Sequence, residues 1–182
     1  MPTRAARRSI DVHVFPPFRS AVKAPWLRKV AAEALAAGDP EGAGGVSIAV
    51  ADDETLRSLN ERFRGLDEVT DVLSFGSKQG GSKPGESKPG EGDADASFPA
   101  DPDGKATLGE VVLSYPLAVR QADEHDVTAE EELALLVVHG VLHLLGHDHE
   151  EAEEEARMKE LERQALTGFF GTTAGAATAG EP

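Results

Sequence analysis

The segment that most restricts the fold runs from Thr128 to Gly146, TAEEELALLVVHGVLHLLG. Thr128 and Glu131 stand in capping-box positions, where the Thr hydroxyl and the Glu carboxylate satisfy backbone amides that have no partner inside the helix. From there to about Leu145 nearly every residue is apolar, and Gly146 supplies a stop. A helix that is apolar around most of its circumference has to be buried. The rest of the chain must therefore supply layers that cover it.

Four segments read as strands from their β-branched, alternating pattern: Ile10–Phe15, Val46–Ala51, Thr70–Phe75 and Leu108–Ser114. Between them lie helical segments at Pro25–Ala37, Asp52–Phe63 (capped by Asp52 or Asp53) and Pro116–His125, and a charged helix follows at about Glu150–Leu166. The order β-α-β-α-β-β-α-α-α combines crossovers with one direct strand-to-strand connection. This predicts an α+β fold: a small mixed four-stranded sheet packed by about five helices, in one domain.

Within the 182 residues the expected domain spans 10–166, preceded by a basic arm at 1–9 and followed by a flexible tail at 167–182. An insertion at 77–105 carries SKPGE twice in succession (82–86 and 87–91), and its Gly, Pro, Ser and charged residues predict disorder. No apolar run approaches the length of a membrane span, and the N-terminus has no secretory pattern. A soluble, cytoplasmic protein that does not engage membranes is expected.

The chain contains no cysteine, which removes disulfides, thiol nucleophiles and thiolate metal sites. Any metal must rest on His, carboxylate or water. Net charge is −15, with +6 in residues 1–30 and −21 in the remainder. That excess argues against purely electrostatic binding to nucleic acid.

Four of the six His fall within eleven residues, His139-Gly-Val-Leu-His143-Leu-Leu-Gly146-His147-Asp148-His149. His139 and His143, four apart on a helix, project from one face and can share an ion. Gly146 lets the chain turn back, so that His149 can offer a third ligand. Three protein ligands leave a fourth position open, as in catalytic zinc sites. With six His in 182 residues, three specified positions coincide with a probability of about 4 × 10⁻⁵ per start, or under roughly 1% over the chain. His147 reads as solvent-facing or supporting rather than ligating, and His13 and His125 are isolated.

The same His spacing occurs in metzincin metalloproteases, which makes peptide hydrolysis a rival reading. Those enzymes need Glu directly after the first His, and here that residue is Gly140. The candidate metal ligands are present while the peptidase base is missing.

HGVLHLLGHDH resembles the signature of the YbeY-type endoribonucleases, or rRNA maturation factors. Leu59-Asn60-Glu61-Arg62-Phe63-Arg64-Gly65, the strand Thr70-Asp71-Val72-Leu73-Ser74-Phe75 and Leu108-Gly109-Glu110-Val111-Val112 resemble that family too. The resemblance implies a single-strand-specific, zinc-dependent endoribonuclease acting in 16S rRNA 3′-end maturation, rRNA processing and ribosome quality control. It implies one Zn²⁺ on His139, His143 and His149, Arg64 as a further catalytic residue, and no organic cofactor. Expected partners are single-stranded rRNA from the small-subunit 3′ region and the ribosome or its proteins. The sequence departs from the family at Val69 and Gly76, where Pro is usual, and at Glu110, where Asp is usual. Glu110 and Asp148 are candidate carboxylates supporting the metal, with a turn role equally open to Asp148. A metal hydrolase of another kind, or a non-catalytic ribosome-assembly factor with structural zinc, also fits these residues.

Overall fold

β-Branched residues at alternate positions pair four strands into one sheet: β1 (Ile10–Val14), β2 (Gly45–Ala51), β3 (Val72–Gly76) and β4 (Thr107–Ser114). The computed structural model describes residues 8–77 and 107–171. Strand order is β1-β2-β4-β3, with β1/β2 and β2/β4 parallel and β3/β4 antiparallel, so the sheet is mixed as expected. The direct strand-to-strand connection is the antiparallel pair, β3 lying at the edge.

Five helices accompany it: α1 (Ala24–Gly38), α2 (Asp53–Arg64), α3 (Tyr115–His125), α4 (Ala129–Leu144) and α5 (Ala152–Phe170), with a short 3₁₀ turn at Pro16–Phe18. The sequence signals set most of their ends. Asp52 caps α2 by accepting from the Thr55 N–H at 2.9 Å, which holds its carboxyl below the ordinary range. Thr128 and Glu131 form the capping box on α4, each side chain bonded to the other residue's backbone N–H.

The two sheet faces are unequal. Ile48, Val50, Val111 and Leu113 pack against α1 and α4 in the main core. Leu133 through Val138, Val141 and Leu142 are all buried, so α4 is the central helix, touching α1, α3, α5 and the sheet. On the opposite face a smaller cluster of Ala51, Leu56, Leu73 and Val112 sits under α2.

The last helix differs from expectation. It runs to Phe170 rather than Leu166, because Phe169 meets Trp26 of α1 edge-on at 6.4 Å and Phe169 and Phe170 pack on the core. Residues 167–170 therefore continue the domain rather than begin a tail. The expected insertion, from residue 78 onward, lies outside the described residues, as do arm residues 1–7 and the tail from 172. Arg8 is described, and it does not extend into solvent. Its guanidinium binds the carbonyls of Asp39 at 2.5 Å and Gly42 at 2.9 Å, beyond the end of α1. No helix among the described residues is long and apolar enough to cross a membrane.

Candidate metal centre

His139 and His143 occupy successive turns on one side of α4, near its C-terminal end. The helix stops at Leu144, and Gly146 adopts φ +88°, a left-handed conformation that other residues take only with strain. Backbone bonds from Gly146 N–H to the His143 carbonyl (3.0 Å) and from His147 N–H to the Leu142 carbonyl (3.1 Å) close the turn. The chain reverses and returns His149 to the other two imidazoles. Ring centroids lie 4.6 Å (His139 to His143), 5.3 Å (His143 to His149) and 5.6 Å (His139 to His149) apart.

The donor set fits a divalent ion. One nitrogen from each ring lies within 4.8 Å of the other two, and the Nε2 atoms of His139 and His143 are 3.0 Å apart. Two nitrogens each about 2.0–2.1 Å from a tetrahedral ion are roughly 3.3 Å apart. Burial depresses the His143 imidazole to about 4, with smaller electrostatic contributions in the same direction from the neighbouring His139, His149 and Arg64 and an opposing one from Asp148. His143 is therefore neutral near pH 7, its lone pair available.

Arg64 ends α2, exposed, and its charge is felt at His143. Buried Asn60 steadies the loop that follows, donating from Nδ2 to the Glu68 carbonyl at 3.0 Å. Arg57 is differently placed: it grips Asp67 through two bonds of 2.6 and 2.9 Å, so its charge is already paired.

The supporting residues sort out by geometry. His147 leaves the cluster, its Nε2 donating to the Gly38 carbonyl at 3.0 Å and tying the turn to α1. Asp148 has the turn role, accepting the His149 N–H at 2.7 Å. Glu110 emerges on the sheet face opposite α4, since its neighbour Val111 is the residue that α4 covers, and so it does not support the imidazoles. Burial pushes its carboxyl up, against the pull of His13. His125 pairs with buried Glu132 at 3.0 Å, and exposed His13 meets Phe15 edge-on.

Gly140 reflects packing. A Cβ there would lie 2.5 Å from Val111 Cγ1 and 3.2 Å from Ser74 Oγ, and the Gly140 carbonyl accepts from the Ser74 hydroxyl at 3.2 Å. A side chain at residue 140 would be driven into the sheet, so the metalloprotease base has no place on this helix.

One residue escaped the sequence reading. Glu162 on α5 lies 2.7 Å from His139 Nδ1. Its signal was available: Glu162 stands four residues after Met158 and three and four before Ala165 and Leu166, an acid on the buried stripe of α5.

A profile of the family described as Endoribonuclease YbeY matches residues 19–169. The protein named Endoribonuclease YbeY in Dehalococcoides mccartyi (strain ATCC BAA-2266 / KCTC 15142 / 195) is 42% identical over 150 residues, covering 82% of this chain and 83% of that one. That of Roseiflexus castenholzii is 39% identical over 163 residues, covering 89% and 92%. The solution structure of TM1509 from Thermotoga maritima shares the fold at a TM-score of 0.55 and 21% identity, covering 96% of this chain and all of that one.

Proposed function

The chain belongs to the Endoribonuclease YbeY family, and from that membership and the three converging imidazoles we propose that it is a single-strand-specific, zinc-dependent endoribonuclease. The observation that carries this reading is the placement of His139, His143 and His149 within 4.8 Å of one another beside the charge of Arg64. Its substrate is rRNA of the small subunit, cut in 16S 3′-end maturation and in ribosome quality control, in the cytoplasm.

When bound, the ion supplies Lewis acidity and acidifies water enough for chemistry near neutral pH. The chain's own residues do the rest. His139, His143 and His149 hold the ion, and Gly146 fixes the turn that brings the third of them in. Arg64, permanently charged and planar, neutralises negative charge growing on the phosphoryl oxygens. The body of the chain is too acidic to hold RNA by charge alone, so contacts to ribosomal protein supply part of the affinity.

The test is cleavage of a single-stranded 16S 3′ fragment by purified protein, with metal analysis, chelator and zinc restored. His143→Ala is expected to abolish zinc binding and cleavage. Arg64→Glu is expected to retain zinc and lose about 10²–10³-fold in kcat. Full cleavage by both variants, or after complete removal of metal, overturns the reading. The product ends identify the attacking group, because a 2′,3′-cyclic phosphate excludes direct attack by water.

A further inference from the structure

Glu162 is a largely covered carboxylate on α5 whose partner is an imidazole rather than a Lys or Arg. Its side chain is 12% exposed, and no Lys or Arg among the described residues pairs with it. Its neighbours on the same stripe of α5, Met158, Ala165 and Leu166, are core residues. A carboxylate in such a position loses hydration unless its oxygens are bonded. Among the described residues its carboxylate bonds to His139 Nδ1, at 2.7 Å, the short distance of a charge-assisted hydrogen bond.

We infer that Glu162 is a positioning residue for the metal ligand His139, orienting the ring and fixing its tautomer. This rests on the metal reading above. A carboxylate can only accept, so Nδ1 carries the proton and Nε2 presents its lone pair. That Nε2 lies 3.0 Å from Nε2 of His143, on the side where the three imidazoles converge. The ring is thereby held from two elements: its backbone sits on α4, while its Nδ1 is anchored to α5. Among the described residues no carboxylate anchors His143 in this way, and Asp148, the acid nearest to it in sequence, accepts from the His149 backbone. The acid that completes the centre therefore comes from a different helix, 23 residues further along.

The experiment measures zinc affinity of the full chain by competition with a chromophoric chelator, together with the melting temperature of the metal-free protein. Three proteins are compared: the parent, Glu162→Met and Glu162→Gln. Met fills a similar volume and suits the apolar stripe, so it keeps the fold while removing the acceptor. Glu162→Met is expected to weaken zinc binding by about 10–100-fold. Glu162→Gln, which still offers an acceptor oxygen to Nδ1, is expected to recover part of that loss. Affinity in Glu162→Met within twofold of the parent overturns the proposal. So does a lowered metal-free melting temperature with unchanged affinity, which would make the pair a strut between α4 and α5. A parent that binds no zinc overturns the metal reading itself, and that outcome is distinct because it appears without any substitution.

Discussion

Glu110 carries a pH signature with a definite sign. Burial favours its protonated form in the folded state, so the native protein holds this proton more readily than the unfolded chain does. Its contribution to stability accordingly falls as pH rises above the unfolded value near 4.5. Glu110→Gln is expected to raise the melting temperature at pH 7, and the gain should close below about pH 4.5, where both forms are neutral. Gly140 gives a second residue-scale expectation. Gly140→Ala pushes a methyl to 2.5 Å from Val111 and should cost about 1–3 kcal/mol, read in denaturant unfolding. Val111→Ala in the same chain should return part of that loss, a coupling that tests whether the glycine is there for packing.

At the scale of elements, α4 is held by its cap. Thr128→Ala removes the hydroxyl that accepts the Glu131 N–H, and is expected to cost about 1 kcal/mol, or roughly 2–4 °C in melting temperature. That helix was legible in the sequence nearly to the residue, because its start, apolar body and glycine stop are all local. The clustering of His139, His143 and His149 was legible for the same reason, the three lying within eleven residues of one helix and one turn. What stayed hidden depends on contacts between distant residues. The continuation of α5 to Phe170 rests on Trp26, and the support of His139 rests on Glu162. The strand order β1-β2-β4-β3 likewise follows from which faces α1 and α4 bury, and no single segment encodes it. The pairing of Arg57 with Asp67 is of the same kind, since it spans a loop that the helical spacing does not reveal.

For the whole molecule the net charge of −15 limits how the chain can hold an anionic polymer. With Arg57 paired and Arg8 bound to carbonyls, Arg62 and Arg64 are the cations left at the end of α2, Arg62 also lying over the Phe63 ring. Two phosphate contacts to a single strand correspond to a slope of about −1.4 in log affinity against log salt. A filter-binding series on an unstructured RNA checks this, and a slope steeper than about −3 would show a larger basic surface than these residues provide.

The join between β3 and β4 has a separate consequence. The Ser77 N–H donates to the Leu108 carbonyl at 2.9 Å, and the Ser77 hydroxyl also binds the Thr107 carbonyl, so the chain departs and re-enters side by side. At this joint Ser77 and Thr107 are direct neighbours. The joint is thus a natural socket: a reporter domain or affinity handle whose own ends lie close together can be grafted there without disturbing the strands on either side.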